Sequence, residues 1–337
     1  MKKIKSLLTF VLVSVFGSSA FAQSSMLATL SHEGEITTFY GALALRDAVN
    51  AAADGDVITL SSGTFISVDI TKGLTIRGAG MYFDTENQNE PTIITGDFTI
   101  NMAEGVTHKL TMEGIYHNNT IYYDGTLRNA TFLKSRFKKI TTNWASAHLV
   151  NATFIHCRVT ETLLLNRESS ALCLNSVLME PTTSGSTSNF EMINCILLKG
   201  GSGWENFFSS SLINCILEAN NISYYLNGSN TVFNCISTNG NDFFKNMPNS
   251  TNTSSLSYEN VFKHHQGYGI MDDELFELTD EAKTTYKGTD GTEVGIYGGN
   301  MPYSSTTTNP KITKLNVASK STADGKLSVD ITVSGAE

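Results

Sequence analysis

The chain has 337 residues, only 16% of them charged, with a formal net charge of -9 and an isoelectric point near 5.3. Binding to nucleic acid needs a basic surface, so this acidic balance argues against nucleic acid as a partner. Asn, Ser, Thr and Gly are abundant, which suits short strands and tight turns better than long surface helices.

Residues 1–22 have the pattern of a secretory signal peptide. Three lysines within the first five residues precede an apolar run at 7–16, and Ala20-Phe21-Ala22 forms a small-x-small cleavage site. The apolar run is too short to span a bilayer, and no later segment is apolar enough to be a membrane helix. We therefore expect an exported protein without a transmembrane segment, located in the periplasm, on the cell surface or in the medium.

The mature chain is predicted to begin with a helix and a strand. Residues 42–53 place apolar side chains at helical spacing, which predicts a short helix. Asp54-Gly55-Asp56 then predicts a turn into a first strand at 57–60. A short helix here is suited to cover the open end of a sheet.

A repeat of about 20 residues organises the centre of the chain. Six aligned segments each carry a small central residue, and these residues lie 22, 19, 19, 20 and 20 positions apart. Short apolar segments without helical period between them predict a parallel β-helix, whose coils stack about 4.8 Å apart. A leucine-rich repeat has a similar period, but its leucine pattern is absent. The small residues are Ser135, Cys157, Ser176, Cys195, Cys215 and Cys235, and Gly114 extends the series by one coil.

The positions around the small residue have distinct predicted roles. The small residue should point into the core, with bulky apolar residues three positions before it and two positions after it. The residue immediately before it predicts a bend, because Asn tolerates the left-handed conformation and its amide can bond to the Asn of the next coil. This position is held by Asn175, Asn194, Asn214 and Asn234.

Five cysteines in an exported chain would ordinarily suggest disulfides. Their odd number and their recurrence at the coil period instead predict buried, reduced thiols. C-x-x-C pairs, which a thiolate metal site would need, are absent. His264 and His265 are predicted to lie in a solvated loop, so we predict no metal site.

Several segments carry a resemblance to known β-helix proteins. They form two groups, at residues 45–60, 63–65 and 73–80 near the start and at residues 277–283 and 288–299 near the end. The first group resembles the start of the pectate-lyase-like right-handed β-helix superfamily, and the second resembles the closing coil of exported β-helix repeat proteins of Bacteroidetes. The resemblance covers roughly residues 40–300 and implies a right-handed parallel β-helix, to which we assign residues 23–302 and about ten coils. The superfamily includes lyases, hydrolases and adhesins, so the resemblance selects no activity.

Two consecutive coils carry basic residues on both sides of the small residue. Arg136 and Arg158 follow it and are predicted to point outward, while Lys134 and His156 precede it. Like charges one coil apart repel, and a bound anion would relieve that repulsion. The residues predict either a solvated basic face or a site for an anionic glycan.

A lyase is the competing interpretation of this basic face. Lyases of the resembled superfamily typically use Lys or Arg as the base, usually beside carboxylates that hold Ca²⁺. The nearest carboxylates here are Glu113 and Glu161, without an Asp cluster, so the calcium pattern is not carried over. Paired acids for glycoside hydrolysis are also not apparent, because the acidic residues share no column.

Aromatic doublets recur in the coils, and adjacent strand residues face opposite ways. One ring of each doublet should therefore enter the core, and the other is either a platform for a sugar face or packed against neighbouring turns. Tyr123 and Tyr225 are the doublet residues that we select as candidate glycan contacts.

We thus expect a secreted or cell-surface protein that binds a polysaccharide or a host or cell-surface glycan without catalysis, or that acts in adhesion. The alternative is a polysaccharide lyase, or less favourably a glycoside hydrolase, acting on an acidic polysaccharide. No cofactor is expected, except Ca²⁺ under the lyase alternative. The candidate ligand-binding residues are Lys134, Arg136, His156, Arg158, Tyr123 and Tyr225.

Residues 303–337 form a separate tail. A polar linker at 304–308 precedes two alternating segments, 312–317 and 327–333, which predict a β-hairpin. On the next four coils, the outward column of Arg136 and Arg158 contains only aliphatic residues and forms an apolar stripe. A soluble monomer rarely exposes such a stripe to solvent. We predict that the hairpin or a long turn covers it, with self-association as the alternative. The stripe consists of Val177, Ile196, Ile216 and Ile236.

Overall fold

The computed structural model describes residues 26–83, 90–198, 209–218, 230–238, 244, 251–265, 274–309, 311–317, 320–322 and 324–334. These residues form an all-β parallel solenoid of about eight turns, roughly 40 Å long at about 4.8 Å per turn. The predicted parallel β-helix is confirmed, with fewer coils than the ten expected. The predicted signal peptide lies outside the described residues.

Two long sheets form the main faces of the solenoid, and all neighbours within them are parallel except at the N-terminal hairpin. The first sheet contains β1 (Leu27–His32), β2 (Glu35–Tyr40), β3 (Val57–Leu60), β5 (Thr75–Arg77), β8 (Thr111–Glu113), β11 (Thr131–Leu133), β14 (Ala152–Ile155), β16 (Ser170–Leu174), β18 (Asn189–Ile193), β20 (Ser211–Ile213) and β22 (Thr231–Phe233). The second contains β4 (Gly63–Ile66), β6 (Thr92–Thr95), β9 (Ile115–Tyr123), β12 (Arg136–Thr141), β15 (Arg158–Leu165), β17 (Val177–Thr183), β19 (Ile196–Leu198), β21 (Ile216–Glu218), β23 (Ile236–Thr238) and β24 (Thr253–Leu256), with β7 (Phe98–Ile100) also paired to β9.

Smaller elements complete the architecture. They are the strand pair β10 (Thr126–Arg128) and β13 (His148–Val150), the antiparallel hairpin β25 (Lys311–Val317) and β26 (Val329–Ser334), and the helices α1 (Ala44–Ala51), α2 (Tyr258–Val261) and α3 (Asp280–Thr285).

The N-terminal end is capped as predicted. Helix α1 buries Leu45 and Val49 in the solenoid core, since its apolar residues recur at helical spacing on one side. Strands β1 and β2, which the sequence did not predict, add an antiparallel hairpin to the first sheet beside β3.

The bend between the two sheets has the predicted geometry. The four Asn residues of the column have φ angles of 44° to 55°, and Lys134 and His156 hold the same position at 48° and 53°. The small residues that follow are fully buried. The position predicted for Gly114 is wrong by one residue. Glu113 pairs with Leu133, so Gly114 lies at the bend and Ile115 lies in the small-residue column.

The cysteine prediction is confirmed. All five thiols are free and buried. Four lie in the small-residue column, and Cys173 lies in the adjoining column of bulky side chains, in register with Phe154 and Met192. Burial raises the pKa of Cys157 to about 12, so this thiol stays protonated at neutral pH.

The apolar stripe is covered by a segment that follows the coils. Residues 274–309, here called the return segment, lie along the outside of the solenoid, and Val294 and Ile296 pack in one cluster with the stripe. In β26, by contrast, Val329, Ile331 and Val333 are 49%, 52% and 56% exposed. The prediction that the stripe is covered is correct. The covers predicted from the sequence were the hairpin or a long turn, whereas the cluster over the stripe contains side chains of the return segment. Segments 277–283 and 288–299 belong to this return segment and lie outside the two long sheets, so they do not form the predicted closing coil.

The bend column holds the return segment. The amide of Asn234 donates to the carbonyl of Lys287 at 2.6 Å, and that of Asn175 donates to Ile296 and Gly298 at 2.8 and 2.7 Å. Further along, the side-chain amide of Asn309 donates to the carbonyl of Gly78 at 2.8 Å. The return segment therefore runs back toward the N-terminal coils. Among the described residues, the predicted bond between neighbouring Asn side chains is seen once, from Asn234 to Asn214 at 3.0 Å.

Candidate ligand-binding cleft

An open cleft of about 500 Å³ lies where the return segment leaves the apolar stripe. One outward-facing column of the second sheet forms its floor, with Tyr116, Arg136 and Arg158 in direct register on successive coils. The walls are mainly apolar and aromatic. They include Met81, Tyr82, Phe83, Pro91, Leu275 and Tyr303, with Glu274 and Ser305 as the polar members.

Arg158 lies at the inner end of this cleft and is only 2% exposed. Its Nε donates to the hydroxyl of Tyr303 at 3.3 Å, and its Nη2 donates to the carbonyl of Glu274. The guanidinium carbon lies 5.3, 5.4 and 5.6 Å from the ring centres of Tyr82, Phe276 and Tyr303. The buried Nη1 has no hydrogen-bond partner among the described residues. A cation shielded from water in this way favours an anionic partner.

Arg136 is 8% exposed and forms part of the cleft floor, with its guanidinium carbon 4.6 Å from the ring centre of Tyr116. The prediction that Arg136 and Arg158 point away from the core is correct, because their neighbours Ser135 and Phe137 are fully buried inside it. A solvated basic face was the wrong environment, since the return segment and the cleft walls enclose both side chains.

Lys134 and His156 lie at the bend and are not among the cleft-lining residues. His156 is buried, and its Nε2 lies 3.0 Å from the carbonyl oxygen of Met301 in the return segment. Burial lowers the pKa of His156 and outweighs that contact, so the ring is neutral near pH 7. Of the four predicted basic residues, the structure therefore brings Arg136 and Arg158 together at the cleft and places His156 against the return segment.

Tyr123 was predicted to contact a glycan, but its side chain is only 1% exposed. Its hydroxyl donates to the carbonyl of Leu164 at 3.0 Å and accepts from the backbone amide of Asn166 at 2.9 Å. The ring is therefore a core element and offers no face to a sugar, whereas its neighbour Tyr122 is half-buried. Tyr225 lies outside the described residues.

Sequence reasoning missed two aromatic residues of the cleft. Tyr116 lies one coil before Arg136 in the same column, so aligning that coil by its bend would have found it. Tyr303 reaches Arg158 from 145 positions away, and no repeat pattern marks such a contact.

The carboxylates considered for a lyase are engaged elsewhere. Glu113 accepts from the amide and hydroxyl of Thr308, both at 2.7 Å. Glu161 is 49% exposed and lies 3.3 Å from Lys138. Neither carboxylate lines the cleft with Arg136 and Arg158.

The prediction that His265 lies in a solvated loop is wrong, because its side chain is buried. Its two ring nitrogens are hydrogen-bonded to the carboxylates of Glu218 and Glu274. Burial alone would lower the pKa of His265, but these two bonds outweigh burial and raise it to about 9. The imidazole is therefore a buried cation near neutral pH. In the described part of the chain, no group of three or more His, Cys, Asp or Glu side chains is arranged to hold a metal ion.

Comparison of the chain with protein-family models, curated proteins and solved structures found no match. None of the helices within the described residues is long and apolar enough to cross a membrane.

Proposed function

We propose that this chain is an exported, non-catalytic protein that binds an acidic glycan in the cleft. The observation that carries the proposal is the pair of buried guanidinium groups, Arg136 and Arg158, on adjacent coils beside aromatic rings. A uronic acid supplies a carboxylate for guanidinium groups and an apolar C–H face for a ring such as that of Tyr116.

The resemblance to pectate-lyase-like proteins and to exported Bacteroidetes β-helix proteins supports a polysaccharide as the ligand class. It also keeps a lyase as the alternative. General base catalysis needs a base within hydrogen-bond reach of the proton that it removes. Arg158 already donates to Tyr303 and Glu274, and the carboxylate of Glu274 is bonded to His265. These contacts favour binding over bond cleavage.

Titration calorimetry with polygalacturonate, alginate and hyaluronate tests the proposal, with neutral dextran as the control glycan. We expect at least one acidic polymer to bind, with weaker binding at higher salt. Arg136→Gln should weaken that binding by about tenfold or more, since it removes a charge-assisted contact. Arg128→Gln is the matched control, because Arg128 is exposed on β10 and does not line the cleft.

Unchanged binding in Arg136→Gln would place the glycan elsewhere on the protein. Ultraviolet absorbance of the same mixtures detects unsaturated sugar ends. Their appearance with the wild type would replace the binding proposal with the lyase alternative.

A further inference from the structure

The cleft is one part of a longer groove on the second sheet. The outward column runs from Ile93 through Tyr116, Arg136 and Arg158 to Val177, each residue in register with the next. Val177 is fully buried beneath the return segment, whereas Ile93 is half-buried in the cleft. The groove is therefore filled by the protein itself on one side of Arg158.

The filling is tight. A Cβ atom added to Gly295 would lie 2.7 Å from Cδ1 of Ile216, so the return segment is seated as closely as a glycine permits. At the boundary, Tyr303 and the carbonyl of Glu274 both bond to Arg158. A sugar chain lying over Arg136 thus meets protein at Arg158 and cannot continue over Val177.

We infer that the cleft binds the terminal residue of an acidic glycan, and not a segment from the middle of a chain. This inference rests on the proposed function and adds that the terminal uronate points toward Arg158, whose Nη1 is buried without a partner among the described residues. The volume of about 500 Å³ suits a ligand of ordinary small-molecule size, which corresponds to a short terminal stretch of sugar.

The stoichiometry of binding tests end recognition on the wild-type protein. The probes are polygalacturonate, alginate and hyaluronate, each as short oligomers and as polymers of two chain lengths at equal mass. We expect short oligomers to bind about as tightly as the polymers, and the number of bound proteins to follow the number of chain ends. Arg158→Gln should lose about tenfold or more in affinity for the oligomer, while Arg128→Gln should not.

Two results would overturn end recognition, and they differ in what they imply. Binding that follows polymer mass, with several proteins on each chain and weak binding of oligomers, would show internal recognition and leave the proposed function standing. No binding of any acidic oligomer or polymer would overturn both. The comparison of oligomers with polymers uses the wild type alone, so it does not depend on whether the buried Arg158 variant folds.

Discussion

At the scale of single residues, the small-residue column does more than leave space in the core. The hydroxyl of Ser176 accepts from the amide of Cys157 one coil away at 3.0 Å and donates to the carbonyl of Leu174 at 2.8 Å. The left-handed bend takes the Cys157 amide out of the regular ladder, and the side chain of the next coil satisfies it. In the same way, the thiol of Cys235 accepts a hydrogen bond from the backbone amide of Cys215 at 3.3 Å. A hydroxyl or thiol at these positions therefore satisfies an amide that an Ala side chain could not.

Replacing Ser176 by Ala should therefore destabilise the protein by about 1–3 kcal/mol, because the buried amide of Cys157 loses its acceptor. Ser176→Cys is the matched variant, since a thiol fills the same position in neighbouring coils, and it should cost less. Urea unfolding of both variants measures the difference. Equal stability of Ser176→Ala and the wild type would show that the hydroxyl is not needed.

His265 gives the protein a predicted pH dependence. Its pKa in the folded chain is about 9, above the ordinary value of 6.5. A raised pKa means that the stabilisation is fully present below about pH 6.5 and is lost as the pH rises through about 9. The loss amounts to at most about 3 kcal/mol. Free energies of unfolding measured between pH 6 and pH 10, roughly the window set by these two pKa values, should show this decline.

His265→Gln should flatten that decline, because the variant has no imidazole to titrate. His264→Gln serves as the control, since His264 is adjacent in sequence but exposed. If His265→Gln keeps the full wild-type pH dependence, other groups cause the loss and the buried imidazolium does not.

At the scale of elements, the Asn column joins the return segment to the solenoid. Asn175 adopts the left-handed bend, with a φ of 44°, and its side-chain amide donates two hydrogen bonds to the return segment. Glycine would keep the left-handed bend but remove both bonds. The substitution thus separates backbone geometry from side-chain bonding.

We expect Asn175→Gly to open the return segment locally while the coils stay folded. Amides near Ile296 and Tyr303 should exchange with solvent roughly tenfold faster, as expected when buried carbonyls lose their donors. Asn129→Gly is the matched control, because Asn129 also has a positive φ, of 55°, but is exposed. Hydrogen exchange that is equal in the two variants would show that the two bonds from Asn175 are not needed to hold the return segment.

At the scale of the whole molecule, the repeats made the coil predictable, because each coil meets the next at a fixed offset of about 20 residues. The inward column, the left-handed bend and the outward stripe all follow from that offset. The doublet at Tyr123 was less informative, since strand alternation says that one ring is buried but not which one. The predicted position of Gly114 was wrong by one residue, because its coil has Ile115 and not a small residue in the inward column.

The cleft itself could not be derived from periodicity. The same outward column is a buried apolar seam at Val177 and lines a cleft at Arg158 and Arg136, and the course of the return segment decides where the seam ends and the cleft begins. Its bonds to Arg158 come from residues 116 and 145 positions away, the carbonyl of Glu274 and the hydroxyl of Tyr303. Such contacts leave no regular signal in the sequence, so the enclosure of the two arginines appeared only in the folded chain.

Hydrogen exchange of the wild-type protein, with and without a bound acidic oligosaccharide, tests whether the part of the groove left open by the return segment is the glycan site. We expect slower exchange in β9 around Tyr116, in β12 around Arg136 and near Tyr303, with β10 and β13 unchanged. Protection confined to β10 and β13, or no protection near Arg136 at saturating ligand, would contradict it.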